Sequence, residues 1–218
     1  MYFALYTVHM LFTGKGDDGT TKTFGCDQRI SKSSAIAEAL GSVDEINSLL
    51  GVVKMEDGET KAIAGLDYRT LLSDVQQDLF IVQAELAGAE KKMDNVRVEK
   101  LSGWVNAIEK ELPAVTSFFV SGGTELGALC DFARTTARRA ERRVVEALRN
   151  DRGDSLALQG VSSVIPAKGL SSNNAENSSN RDNHQHLLAY MNRLSSLLYA
   201  LARLANHRAG VLEEKPHY

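Results

Sequence analysis

The sequence has few of the residues that mark disulfide-rich, disordered or fibrous proteins. Only two cysteines, Cys26 and Cys130, and three prolines occur in 218 residues, and aromatic residues make up 6%. Two cysteines without a Cys-x-x-Cys motif cannot build a disulfide framework, so we expect a reducing intracellular compartment. With 43% hydrophobic and 24% charged residues, the chain has the composition of a globular protein. Its length favours a single domain over residues 1–218.

The charge balance excludes two classes of partner. Lys and Arg total 25 against 28 Asp and Glu, which gives a formal charge of −3. No overall positive field attracts nucleic acid or an acidic membrane, so we predict neither as a partner. Any anion-binding function must therefore depend on local clusters of basic residues.

Residues 1–12 are almost wholly apolar, but they are too few to span a bilayer. They lack the basic start and cleavage site of a secretory signal and the Arg and Ser of a transit peptide. We interpret residues 1–33 as an extended N-terminal segment, with an incomplete start of the chain as the alternative. The cytoplasm is the expected location, and the mitochondrial matrix stays open if the N-terminus is incomplete.

Apolar residues recur with the 3.6-residue period of a helix in five segments. The segments lie within residues 36–53, 72–86, 101–112, 126–148 and 187–205. The third stops at Pro113, and Thr124 is a plausible N-cap for the fourth. Since hardly any segment alternates as a strand does, we predict an all-α five-helix bundle with a ferritin-like up-down arrangement.

Residues 150–186 are different in character, because they are rich in Ser and Asn. Such a stretch has too little apolar surface to offset its chain entropy, so we predict a mobile loop inserted in the domain. His184 and His186 lie at its edge without a third ligand nearby in sequence. We expect solvated histidines there and no metal site.

A glycine-rich segment, residues 13–21, suits a phosphate loop. Three glycines let the backbone turn tightly and bring its N–H groups, with threonine hydroxyls, close to an anion. The segment matches neither a Walker A motif nor a dinucleotide-binding motif. An ordinary turn is the alternative, and Lys32 either neutralises a phosphate or is solvated.

Residues 134–143 contain five arginines. Helical spacing places Arg134, Arg138, Glu141 and Arg142 on one stripe beside the apolar face. Guanidinium groups make bidentate contacts to phosphates, so this stripe suits a polyphosphate. A solvated face of paired charges is the alternative.

The last helix carries a polar stripe of Asn192, Ser196, Tyr199 and Arg203 beside its apolar stripe. Buried polar groups need partners. Either a ligand or hydrogen bonds within the bundle must therefore supply them.

The ordered set of motifs resembles the PduO-type ATP:cob(I)alamin adenosyltransferases, over residues 13–149 and 187–206. The resemblance also rests on residues 41–48 (GSVDEINS), on residues 118–124 and on the Asn-Arg-Leu-Ser motif at residues 192–195. The chain has Ser121 where the family usually has proline before its glycine turn, and Ser196 where the family usually has aspartate.

The resemblance implies a homotrimer that binds ATP between neighbouring subunits, with a cobalamin above it. It implies that cob(I)alamin attacks the 5′ carbon of ATP, in the presence of Mg²⁺, to give adenosylcobalamin and triphosphate. The implied ATP-binding residues are Thr13, Gly14, Lys15, Gly16, Asp17, Gly19, Thr20, Thr21, Lys32, Arg138, Glu141, Arg142 and Asn192. No residues that hold the metal are identified.

Two residues are implied as catalytic: Arg138, which we expect to meet the triphosphate, and Phe118, beneath the corrin ring. Asp44 is implied to pair with Arg134 across the subunit boundary. A flavin reductase and an adenosylcobalamin-dependent enzyme are further candidate partners. Two other functions stay open, a non-catalytic corrinoid carrier or chaperone with the same bundle and a purely structural helical oligomer.

Overall fold

The computed structural model describes residues 12–23, 28–56, 63–151 and 184–217. The predicted five-helix bundle is confirmed, with one small two-stranded sheet added to it. The elements in chain order are β1 Thr20–Thr21, β2 Ile30–Ser31, α1 Ala35–Met55, α2 Tyr68–Leu86, α3 Asn95–Glu109, α4 Glu125–Asp151 and α5 Gln185–Arg208. Residues 1–11 and most of the predicted insertion at residues 150–186 lie outside the described residues, so these interpretations stay predictions.

Short polar side chains determine where four of the helices begin. Ser34, Asp67 and Asp94 each accept a hydrogen bond from the backbone N–H three residues later. Thr124 accepts one from the N–H of Gly127 at 3.0 Å, which confirms the predicted N-cap of α4. Each cap satisfies an N–H group that has no partner within its own helix.

The core is arranged around α4, which packs against α1 on one side and α5 on the other. The side of α4 that faces these helices is formed by small residues, including the buried Cys130, Ala133, Ala137 and Ala140. Burial raises the pKa of the Cys130 thiol to about 12, so this cysteine stays protonated at neutral pH. Among the described helices, none is both long enough and apolar enough to cross a membrane.

The interpretation of His184 as a solvated residue is wrong. Its Nδ1 lies 2.7 Å from Oε1 of the buried Glu85, and Oε2 of Glu85 accepts a hydrogen bond from the N–H of Met93 at 2.7 Å. The pair ties the start of α5 to the end of α2. A buried carboxylate needs such partners, because leaving it without them would cost several kcal/mol.

Candidate functional site

The glycine-rich segment forms a compact loop that the small sheet closes. The N–H of Asp17 bonds to the carbonyl of Gly14 and that of Gly19 to Gly16, both at 3.2 Å. Gly14 and Gly19 have φ of 68° and 78°, a region that side chains disfavour. Beyond the loop, β1 pairs antiparallel with β2. Strands of two residues are too short to leave an alternating pattern, which explains why the sequence did not predict them.

Lys32 and Arg29 reach back across this sheet and hold the loop. The Lys32 ammonium donates to the carbonyl of Gly16 at 2.7 Å. The guanidinium of Arg29 donates to the carbonyl of Thr20 at 2.9 Å, and also to the Thr20 hydroxyl and the carbonyl of Lys15. Lys32 thus contacts the glycine loop, and its predicted role in neutralising a phosphate stays a prediction. Arg29 was missed, although its position just before Lys32 was the available signal.

Asp18 completes the loop as an anion. Hydrogen bonds from the hydroxyl and the backbone N–H of Thr20, with the nearby charge of Arg29, lower the pKa of this carboxyl group below its ordinary value. Asp18 therefore stays ionised at neutral pH. Its charge offsets that of Arg29, and Asp17 offsets one of the two lysines Lys15 and Lys32, so the loop keeps a formal net charge of +1.

The five arginines within residues 134–143 of α4 fall into two groups, and the first is already paired. Arg134 Nε lies 2.5 Å from a carboxylate oxygen of Asp131 one turn away. Arg139 pairs with Glu45 of α1, and Arg143 pairs with Glu146 at 3.0 Å. These three side chains correspond to the alternative of a charged face with internal pairs.

The second group consists of Arg138 and Arg142, both of which are exposed. Neither takes part in any hydrogen bond or ion pair found among the described residues. Glu141 lies between them, and its carboxylate accepts a hydrogen bond from Asn192 of α5 at 3.2 Å. Both arginines predicted to bind phosphate thus have no ion-pair partner in the part of the chain that the structure describes.

A groove of about 820 Å³ lies between α4, α5 and the segment before α4. Phe118 and Arg138 both line it, as do Arg134, Ser196 and Tyr199. Phe118 is 80% exposed, so its ring is open to a ligand in the groove. The structure therefore brings the two predicted catalytic residues to one cavity.

Asn206, near the end of α5, holds the glycine turn at residues 122–124, which lies between Phe118 and the start of α4. Its side-chain oxygen accepts from the N–H and the hydroxyl of Thr124, and its amide donates to the carbonyl of Gly122, all at 2.9 Å. Gly123 has a φ of 97°, and a Cβ there would lie 2.5 Å from the Asn206 oxygen. Glycine is therefore required at position 123, because the backbone there lies too close to Asn206 for a side chain. Sequence reasoning did not identify Asn206.

Arg203, in the polar stripe of α5, is buried and satisfied within the chain. It donates to the Glu213 carboxylate at 2.8 to 3.1 Å and to the carbonyl of Pro113 at 3.2 Å. Its guanidinium carbon also lies 5.2 Å from the centre of the Phe119 ring, a cation–π distance. Arg203 and Asn192 thus find partners in the bundle, whereas Ser196 and Tyr199 line the groove.

The structure does not unite all of the predicted residues within one chain. No hydrogen bond among the described residues joins the glycine loop to Arg138, Glu141 or Arg142. Asp44 is exposed and has no ion-pair partner in the part of the chain that the structure describes. Within the same part, no group of three or more His, Cys, Asp or Glu side chains could hold a metal ion.

The arrangement is similar to that of known proteins. A family model described as cobalamin adenosyltransferase matches residues 11–166. The chain belongs to the cobalamin adenosyltransferase family. The corrinoid adenosyltransferase PduO of Salmonella typhimurium is 33% identical over 214 residues, which are 94% of this chain and 53% of that protein. The chain spans about half the length of the curated PduO proteins that it matches.

Other relatives of this family are covered almost completely. The corrinoid adenosyltransferase of Mycobacterium tuberculosis is 33% identical over 94% of each chain. A variant PduO-type ATP:corrinoid adenosyltransferase from Lactobacillus reuteri, complexed with cobalamin and ATP, has a TM-score of 0.72 at 25% identity. That match covers 96% of this chain and 100% of the solved one.

The contacts of Arg29 predict that Arg29→Ala loosens the glycine loop. Losing the hydrogen bonds to Thr20 and Lys15 should lower the free energy of local opening by about 1–3 kcal/mol. Amide hydrogen exchange of residues 15–20 should accelerate accordingly, with exchange in α2 unchanged as an internal control. Arg29→Lys should restore little of the protection from exchange, since the lysine ammonium lacks the several fixed N–H donors of a guanidinium. Equal exchange in all three proteins would contradict this role for Arg29.

Proposed function

We propose that this protein transfers the 5′-deoxyadenosyl group of ATP to cob(I)alamin, giving adenosylcobalamin and triphosphate. The observation that carries the proposal is the groove lined by both Phe118 and Arg138. An exposed aromatic face suits a large planar ligand, and an arginine without a counter-charge suits a phosphate. Membership of the cobalamin adenosyltransferase family supports the same reaction.

The reaction needs no nucleophile from the protein. An electron pair of Co(I) attacks the 5′ carbon, the cobalt–carbon bond forms, and the carbon–oxygen bond breaks. The bonding pair leaves on triphosphate, and cobalt rises formally from Co(I) to Co(III). The protein must hold carbon and cobalt in line and stabilise the charge that develops on the leaving group. Cys130 takes no part, because it is buried and protonated.

ATP would be held by the glycine loop with Lys32 and by Arg138 and Arg142. Glu141 and Asn192 already contact each other, so they present a joined carboxylate and amide to the nucleotide. Magnesium ions usually bind through one or two carboxylates and substrate phosphates, and Asp17 is an exposed carboxylate of the loop that fits this role. When bound, Mg²⁺ would neutralise part of the triphosphate charge.

We propose a homotrimer in which the glycine loop of one subunit faces the arginines of the next. Among the described residues no hydrogen bond joins these two elements within one chain, which supports a site shared between subunits. Asp44 would then pair with Arg134 of the neighbouring subunit. Arg134 uses Nε and Nη2 for Asp131, which leaves further N–H groups for a second carboxylate.

The proposed partners follow from the chemistry. Co(I) must be generated by one-electron reduction of Co(II), for which we propose a flavin reductase. An adenosylcobalamin-dependent enzyme would use the product. We propose the cytoplasm as the location, in keeping with the low cysteine content.

Turnover and its loss in Arg138→Ala test the proposed reaction. The wild type, with ATP, Mg²⁺ and chemically reduced cobalamin, should consume Co(I) absorbance and release triphosphate. Arg138→Ala should lower kcat by about 10²–10³, the usual effect of removing one charge-stabilising donor. Arg143→Ala is the matched control on α4, because Arg143 is already paired with Glu146. Cobalamin binding without triphosphate release would identify a carrier instead.

Phe118→Ala tests the corrinoid face of the groove. Without the ring, water or the lower ligand can stay on cobalt, so turnover that starts from Co(II) should fall at least about tenfold more than turnover from Co(I). ATP affinity should hardly change. Phe80→Ala is the control, since Phe80 is also exposed but lies on α2. An equal decline in both assays and in the melting temperature would indicate an ordinary structural aromatic.

Neutralising Asp44 tests the homotrimer. Light scattering should give three times the chain mass of 23.8 kDa for the wild type. Asp44→Asn should weaken assembly by about 2 kcal/mol or more per interface, because it leaves Arg134 without its proposed partner. Glu45→Gln should not, since Glu45 pairs with Arg139 of its own chain. A monomeric wild type, or equal masses on dilution of both variants, would refute the arrangement.

A further inference from the structure

The carboxylate of Asp131 joins two elements that border the groove. The hydroxyl of Ser121, in the segment before α4, donates to its Oδ2. Arg134, on α4, donates from Nε to Oδ1 at 2.5 Å, and Nη2 lies 3.4 Å from Oδ2. The Asp131 side chain is only 13% exposed.

The charge state of Asp131 suits this bridging role. Burial raises the pKa of this carboxyl group, but hydrogen bonds from Arg134 and Ser121 outweigh burial, and the net pKa lies below its ordinary value. The group is therefore ionised at neutral pH. An ionised acceptor makes shorter and stronger hydrogen bonds than a neutral one.

The bridge lies close to the residues proposed to act on the substrates. Asp131 and Arg138 are seven residues apart, which is about two turns or 10 Å along the same face of α4. Ser121 follows Phe118 by three residues. One carboxylate therefore connects the backbone that carries the Phe118 ring to the helix that carries the Arg138 guanidinium.

Other hydrogen bonds of this segment run elsewhere. The N–H of Val120 donates to the carbonyl of Glu214 at 2.8 Å, and the carbonyl of Gly122 accepts from Asn206. Both tie the segment to α5 or to the chain after it. Among the hydrogen bonds of the described residues, the Ser121 to Asp131 bond is the one that links residues 113–123 to the body of α4.

We infer that Asp131 is a positioning residue for the corrinoid, whose carboxylate sets the distance across the groove between Phe118 and Arg138. This inference rests on the proposed function. Asp131 itself lies in the wall of the groove, and it acts on the corrinoid site through its hydrogen bonds with Ser121 and Arg134. Removing its charge should let the Phe118 segment move away from α4, which widens the corrinoid site while the phosphate contacts stay in place.

The test compares KM values for the two substrates in Asp131→Asn, Ser121→Ala and the double variant. Asp131→Asn should raise the KM for cob(I)alamin about tenfold and change the KM for ATP by less than about twofold. Ser121→Ala should give a smaller rise in the KM for cob(I)alamin, again with little change in the KM for ATP. The double variant should be little worse than Asp131→Asn alone, since Asp131→Asn already weakens the bond that Ser121→Ala removes. Glu146→Gln is the matched control, because it removes the carboxylate charge from another i,i+3 ion pair of α4, that of Glu146 with Arg143.

A spectrum provides a second measurement. With ATP present, the wild type and Glu146→Gln should hold more of their bound cob(II)alamin without its lower ligand than Asp131→Asn does. Equal rises in both KM values, or a normal KM for cob(I)alamin in Ser121→Ala and Asp131→Asn, would overturn the positioning role.

The two proposals fail in different ways. If the wild type binds cobalamin but shows no turnover, the enzymatic function fails. Titration with cob(II)alamin then still tests Asp131. A weaker affinity in Asp131→Asn than in Glu146→Gln would support the positioning role, and equal affinities would refute it. A wild type that binds no cobalamin would refute both.

Discussion

The burial of one face of α4 is the constraint on which the remaining structure depends. Ala133, Ala137 and Ala140 are fully buried between α1 and α5, and such small side chains allow close packing of helices. Rotating α4 would expose this stripe and force guanidinium groups into the core, where an unpaired charge is very unfavourable. The direction in which Arg138 and Arg142 project is therefore fixed by alanines that touch no substrate.

A second constraint operates at the end of α5. Arg203 and Asn206 are buried polar residues of α5, and leaving either unsatisfied would cost at least about 1–3 kcal/mol. Their partners lie in the segment before α4 and in the chain after α5. The same bonds that satisfy α5 thus hold the irregular segment that carries Phe118. An exposed ring on a loop gains a defined position because its neighbours are anchored to helices.

The helices and the Thr124 cap could be predicted from the sequence because both depend on local spacing. Periodicity records which side of a helix is buried, and a cap acts within one turn. The contacts of Asn206 with Thr124 and of His184 with Glu85 link residues 82 and 99 positions apart. Such long-range pairs leave no periodic signal in the sequence. The residues that hold the candidate site in place could therefore not be predicted from periodicity. The contacts of Arg29 could not be predicted for a similar reason, since this residue donates to Thr20 nine positions away across a sheet too short to leave a sequence pattern.

The charges of α4 explain why an anion would stabilise this helix. Arg134, Arg138 and Arg142 follow one another at i,i+4 spacing, which destabilises a helix when like charges have no counter-charge. Asp131 offsets the first, whereas Arg138 and Arg142 have no ion-pair partner among the described residues. A bound polyphosphate would relieve the repulsion that remains. Binding of an anion would then recover the free energy that the unpaired arginines cost the helix without a ligand.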